Sequence, residues 1–498
     1  MKARYLLLLI AVGALTALSV GEGQDLTGGP AEAEALMPWE IVSSQGLRNL
    51  GSRSCSSTYC HGSVRPDSEH DNRMRRDEYL VWLEEDPHQR AHAILSGPRS
   101  RTIFTNLGLS KGDEEYDLVE RKCIACHAMP VEVACSDGTQ TVAYEGVSCE
   151  MCHGPAEKWL ATHYKNDFVK LPAKEKVRQG FYNTNDAIQR ARLCVACHVG
   201  DQQREVNHDW IAAGHPALKF ELTAYLSMMP SHWKVSRDRT NAETPADHQL
   251  ELWLAGQRTA ADASLAQLAR RAEQAASGRQ DAVWPEFAEL DCYACHHDLG
   301  PPRSWRQGRG FGVEQTRRSI HRVTLPVSEW YLFMLAQLAA GSDDDEAAAK
   351  RFEEQWQQLR RLMERDVVPA EDKVALLAHS TRKALDQWLS QHPPAVQRRE
   401  ILGVMAEGDG RQLVSNWDRA VQAYLALQVI KGDAQQDEQL KELRNLLAFP
   451  VERERHFDSP RAFVGVLSGE QGAQPVTIRD QVLKHILDVQ KELGPKRE

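Results

Sequence analysis

Apolar and polar positions keep different rhythms at the two ends of the 498-residue chain. At the start, Lys2 and Arg4 precede a mainly apolar stretch from Tyr5 to Val20, followed by the small and polar Gly21-Glu22-Gly23-Gln24. Cation, apolar run and small residues in that order make a secretory signal peptide, which predicts removal of residues 1–23 and export. An uncleaved anchor stays open as the alternative, because the run is close to the shortest that spans a bilayer. From about residue 326 apolar residues recur at helical spacing. Trp330 to Leu335 opens one helix that ends at Gly341. Asp343, Asp344 and Asp345 suit the start of the next, where the helix dipole favours negative charge. Phe352, Trp356, Leu359 and Met363 make its apolar face, and Trp417, Val421, Tyr424 and Gln428, with Leu425 beside them, repeat the pattern. Ile478 to Leu493 closes the chain as a final helix. These aromatic stripes read as the core of a helical bundle rather than as a cofactor box.

The middle of the chain is less regular. Val131 to Tyr144 reads as a β-hairpin turning at Ser136-Asp137-Gly138. A helix is predicted to start near Pro87, which sets His88 and His92 on one face at i, i+4 spacing. His208 and His215 flank a further stretch, and a helix there holds them on one side, about 10 Å apart. The expected class is mainly α with little β-structure, divided into residues 1–23 (signal), 37–325 and 326–498.

Composition narrows the function. Lys+Arg 60 against Asp+Glu 70 gives a net charge of −10, and cleavage of the signal after Ser19 or Gly21, which removes Lys2 and Arg4 and no acidic residue, makes it −12. A nucleic-acid binder calls for a basic excess, so no nucleic-acid partner is expected. The mean hydropathy of −0.50 excludes a polytopic membrane protein. Membrane association stays open only through an uncleaved signal.

The eleven cysteines change the picture. Ten of them pair into five motifs, each closed by a histidine: Cys55 and Cys60 with His61, Cys123 and Cys126 with His127, Cys149 and Cys152 with His153, Cys194 and Cys197 with His198, and Cys292 and Cys295 with His296. Four have the C-x-x-C-H spacing of covalent haem attachment, and the first has four residues between its thiols. With 19 histidines in the chain, five such placements by chance have odds of about 10⁻⁷. Two thiols at this spacing match the two vinyl groups of the macrocycle, and the next histidine is delivered to the iron. Zinc ribbons and disulfides place no demand on that next residue. Five covalently attached c-type haems are expected. Cys135 is left over, as a buried free thiol or an intermolecular bridge.

Ten other histidines lie between His70 and His321, interleaved with the motifs, which favours bis-histidine ligation and low potentials. Of His88 and His92 either could ligate. His163 follows the third motif by ten residues, His208 and His215 suit two adjacent haems, and His297 must point away from its neighbour His296. His321 is a further candidate, while His70, His232 and His248 rank behind these. His379, His392, His456 and His485 lie in the cysteine-free part and read as ordinary residues.

With these residues in view, roughly residues 50–325 resemble exported multihaem cytochromes of the cytochrome c-554 (cytochrome c-552/4) family. The resemblance rests on the first motif with Gly62, on Asp86-Pro87-His88, on the Glu145 to Pro155 string around the third motif, and on Ala213 to Glu221. It implies electron transfer through closely packed haems, with His88, His163 and His215 as distal ligands, and it raises His208. The tetrahaem pattern of that family is exceeded here by one motif and a long tail. Neither eight motifs, as in hydroxylamine oxidoreductases, nor the C-x-x-C-Lys of pentahaem nitrite reductases is present.

The sequence thus predicts an exported, periplasmic pentahaem c-type cytochrome carrying electrons between redox partner proteins. The competing readings are a multihaem oxidoreductase acting on a small nitrogen or sulfur compound at a five-coordinate haem, and a subunit that docks a relay onto a larger complex through its tail.

Overall fold

A computed structural model describes residues 36–66, 74–134, 140–233, 245–279, 282–292, 325–342, 347–391, 398–406, 410–432, 437–447 and 478–493. The predicted signal segment, Cys135 with its turn, His70 and Asp343 to Asp345 lie outside them. From Met37 onward the chain forms one compact unit. Helix dominates, and the described residues hold one two-stranded sheet.

That sheet is the predicted hairpin. Met129–Ala134 runs antiparallel to Gln140–Glu145, in a register that sets Met129 opposite Glu145. Met129 and Val131 alternate onto its inner face and pack against Met151 of the third motif.

The C-terminal helices follow the apolar periodicity. Phe333–Ala340 ends at Gly341, and Ala347–Arg365 buries Phe352, Trp356, Leu359 and Met363 on one side. Trp417–Lys431 and Ile478–Leu493 appear as expected. The spine of this bundle comes from earlier in the chain. The 32-residue Pro245–Ala276 helix sends Trp253, Leu265 and Leu268 into the bundle core. Its Leu252, Ala255 and Ala260 pack instead on Ala187, Ala191 and Val195 of the Ala187–His198 helix, which carries the fourth motif. One helix therefore joins the motif-bearing residues to the bundle. No helix among the described residues is long and apolar enough to cross a membrane.

Two expected helices differ. After Pro87 the chain makes two 3-10 turns, Pro87–Arg90 and Ala93–Ser96, rather than an α-helix. Asp86 caps the first turn by accepting the His88 N–H, and the His88 carbonyl takes the N–H of Ala91 and of Val147, so His88 and His92 do not share a helical face. The second helix, His208–Ala213, stops at Gly214, whose φ of +124° only glycine adopts freely, and His215 lies beyond it.

Candidate haem sites

Three of the short motifs end helices: Glu114–His127, Cys149–His153 and Ala187–His198. On a helix, positions i, i+3 and i+4 form one stripe. The two-residue gap therefore puts both thiols and the imidazole on the same side. The first motif uses a 3-10 turn, Ser52–Cys55, and an exposed loop through Tyr59 instead.

Each of the four described motif histidines faces a second histidine. His61 lies opposite His163 with ring centroids 6.2 Å apart, and His198 opposite His88 at 6.1 Å. His127 faces His215 at 6.4 Å, and His153 faces His232 at 6.5 Å. Two imidazoles bound through one ring nitrogen to opposite sides of a metal ion have centroids about 6–6.5 Å apart, given metal–nitrogen bonds of about 2 Å. The first pair is nearly parallel at 17°, and the other three are crossed at 79–85°. Among the described residues no three or more His, Cys, Asp or Glu side chains gather as a metal cage. Facing pairs flanked by thiols fit haem c; they do not fit a tetrahedral ion.

The other ring nitrogen is held in five of these eight residues. Nδ1 of His88 bonds Asp86 at 2.9 Å, and Nδ1 of His61 bonds Glu78 at 3.1 Å. Nδ1 of His163, His215 and His127 meets the carbonyls of Leu160, Pro216 and Ala91 at 2.8, 2.8 and 3.2 Å. A donor bond at Nδ1 fixes the tautomer and leaves Nε2 bare for a metal. Burial, reinforced by the facing imidazoles, lowers His153 to about 3 and His198 to about 4, so both are neutral, as a ligand must be.

Carboxylates and glycines set the surroundings. Glu150, inside the third motif and 1 % exposed, accepts from the backbone N–H of Leu50, Gly51 and Ala156 at 3.0, 2.7 and 2.7 Å. It thereby ties the first motif's approach to the third motif's exit. A Cβ on Gly154, at φ +84°, would lie 2.0 Å from the Gly180 carbonyl oxygen, and one on Gly146 would lie 2.5 Å from that of His88. The chain passes too closely at both points for any side chain.

The motifs also adjoin one another. Cys55 and Cys149 lie within hydrogen-bonding reach, as do Cys126 and Cys197. Cys152 lies within electrostatic reach of Cys194 and Cys197. The motifs therefore neighbour each other in the order one, three, four, two.

Of the histidines expected as distal ligands, His88, His163 and His215 stand in facing pairs. The His208 ring packs edge-on to Phe287 at 5.6 Å, and its backbone N–H donates to Glu286 in the turn leading to Cys292. His92 packs on Tyr144 instead of facing a motif histidine. His232 takes the place opposite His153, although sequence reasoning ranked it low; its one signal was its place among the interleaved histidines. Cys292 is described, while Cys295, His296, His297 and His321 lie outside the described residues.

Residues 56–154, about a fifth of the chain, match the model of the family described as cytochrome c554 and c-prime. No curated protein and no solved structure matches. The matched stretch takes in the end of the first motif, the second and third motifs, and His88 with its Asp86 support. By that match and by the geometry of its thiols and imidazoles, the chain is a c-type cytochrome that resembles the cytochrome c554 family, with covalently bound haem c as the cofactor implied.

Proposed function

We propose that the protein is an exported, periplasmic five-haem cytochrome that passes electrons singly along mostly bis-histidine haems, between a donor and an acceptor protein. The four facing imidazole pairs at 6.1–6.5 Å carry this reading. Haem c supplies reversible one-electron chemistry when bound. The chain's own residues do the rest. With haem bound, each of these four pairs would supply two histidine ligands to its iron, which would leave those irons no room for a small substrate. Asp86 and Glu78 make their histidines more basic, which favours the ferric state and a low potential. Adjoining motifs keep successive carriers close, so electrons need not cross long stretches of protein.

Export is supported by the cation–apolar–small order of residues 1–23. The acidic chain and the ten propionates of five haems favour redox partners that dock through basic patches.

The test is the full-length purified protein. Intact mass should report five haems, and the visible and EPR spectra should be low-spin without a carbon monoxide shift. A high-spin fraction that binds carbon monoxide or nitrite would overturn the carrier reading in favour of catalysis at an open haem.

A further inference from the structure

The site of the first motif reaches the surface further than the other described sites. Of the nine described cysteines, Cys60 alone is exposed. Tyr59 beside it and Tyr164 beside His163 are 88 % and 66 % exposed, more than any other aromatic side chain among the described residues. His61 and His163 face each other at 6.2 Å, so the loop with Tyr59 and the turn with Tyr164 meet at one imidazole pair. This motif also stands at an end of the neighbour order, where a relay exchanges electrons with something outside the chain.

The charge there runs against the rest of the chain. No acidic residue lies between Ile41 and Pro66, a stretch with Arg48, Arg53 and Arg65, and residues 156–178 hold six cations against three carboxylates. That is a surplus of six positive charges in a chain of net charge −10, and Glu132, near Arg48, lowers it by one. Two of the three carboxylates are taken, Glu157 by Arg48 and Glu175 by Arg178, while Glu78 is turned onto His61. Arg53, Lys158 and Lys165 are exposed. Lys158 adjoins Trp159, whose ring packs edge-on to His163 at 5.3 Å, and Lys165 Nζ lies 5.9 Å from the Tyr164 ring centre. At the other end of the neighbour order, residues 98–122 leading into the second motif hold five charges of each sign. The surplus therefore belongs to the first motif and not to relay ends in general.

We infer that this surface is where an acidic redox protein docks, with Tyr59 and Tyr164 in the contact and Arg53, Lys158 and Lys165 around it. The inference rests on the electron-carrier reading above and names one of its two partners by charge. Tyrosines supply contact area at a small cost in side-chain entropy, and cations around them raise the rate of encounter with a negatively charged protein. The two propionates of a haem bonded at Cys55 and Cys60 would still leave the surface positive. The basic partner favoured by the charge of the whole chain then meets a different face, so donor and acceptor do not compete for one haem.

The probe is a plant-type [2Fe–2S] ferredoxin, an acidic protein, photochemically reduced and mixed with the full-length ferric protein; one electron leaves the cluster and one haem becomes ferrous. The rate should fall as salt rises. Lys158→Glu with Lys165→Glu should keep the haem count by intact mass, slow the reaction about tenfold at low salt and flatten its salt dependence. The milder Lys158→Gln with Lys165→Gln should fall between. Lys373→Glu with Lys383→Glu makes the same change of net charge at exposed positions of the Glu371–Gln391 helix and should leave the rate where it was. A rate unmoved by the reversal at the first motif, or slowed equally by the reversal on the bundle helix, would overturn the inference. A high-spin haem that binds carbon monoxide in the unaltered protein would instead defeat the carrier reading on which it stands.

Discussion

Asp86 Oδ1 accepts a 2.9 Å hydrogen bond from Nδ1 of His88, and the same ring faces His198 across 6.1 Å. The carboxylate is buried, and it also accepts the His88 backbone N–H at 2.9 Å. It thus shapes the turn and tunes the imidazole at once. Asp86→Asn separates the two tasks, since an amide oxygen still caps the turn but carries no charge. The variant should fold, keep its haem count, and show one midpoint potential raised by about 60 mV for each tenfold of ferric preference lost. Spectroelectrochemical titration reads this directly. An unchanged set of potentials would reduce Asp86 to a turn cap.

His232 makes a sharper case, because nothing in its sequence context singles it out. If it is the sixth ligand opposite His153, at 6.5 Å, His232→Ala should leave every thioether bond intact and open one iron. One haem of the set should turn high-spin and bind carbon monoxide, with the rest still low-spin. EPR and a carbon monoxide difference spectrum give the answer. A wholly low-spin variant would mean that another side chain ligates that iron.

The contrast between His88 and His232 shows what the sequence could and could not reveal. Cys123, Cys126 and His127 were legible because local spacing alone puts them on one helical stripe. The bundle face of Phe352, Trp356, Leu359 and Met363 was legible for the same reason. Distal ligands are brought in from elsewhere: His163 and His61 are about a hundred residues apart, and their meeting depends on packing between distant stretches of chain. The α-helix expected at Pro87 does not form because the His88 carbonyl accepts from Val147 N–H, a partner brought from a distant part of the chain, which apolar periodicity does not record. The Pro245–Ala276 helix gave no warning that it serves two cores, because the partners for its two faces lie in separate parts of the chain.

Glu150 carries a stability prediction. Burial pushes its carboxyl up, while three backbone amides, those of Leu50, Gly51 and Ala156, pull the other way by bonding the charged form. Glu150→Ala would strand all three donors in a buried site. The loss should be about 2–4 kcal/mol in denaturant unfolding, against about half that for Glu150→Gln, whose oxygen still accepts. Because Glu150 joins the approach to Cys55 with the exit from His153, the alanine variant should also attach haem less completely at those two motifs, which intact mass would register. Equal stability for both variants would show that the amides find other partners.

The last prediction concerns a cation that nothing in the motif pattern announced. Arg204 is 4 % exposed and makes three kinds of contact. Its Nε donates to the Ala125 carbonyl inside the second motif at 2.8 Å, its Nη1 meets Asp201 just past the fourth motif at 2.8 Å, and its guanidinium lies 3.8 Å from the Trp39 ring centre. A flat, forked group serves all three at once; a lysine ammonium, a point charge on a flexible stem, can serve one. Arg204→Lys should therefore cost about 2–3 kcal/mol although the charge is kept, since the stacking on Trp39 and the bond to Ala125 O are both lost. Arg204→Met keeps an apolar stem over the indole but removes both the ion pair to Asp201 and the bond to Ala125 O, so it should be worse than lysine. Urea unfolding at constant haem content ranks the two. If methionine proves the milder change, apolar contact with Trp39 holds this corner together and the link between the second and fourth motifs does not run through Arg204.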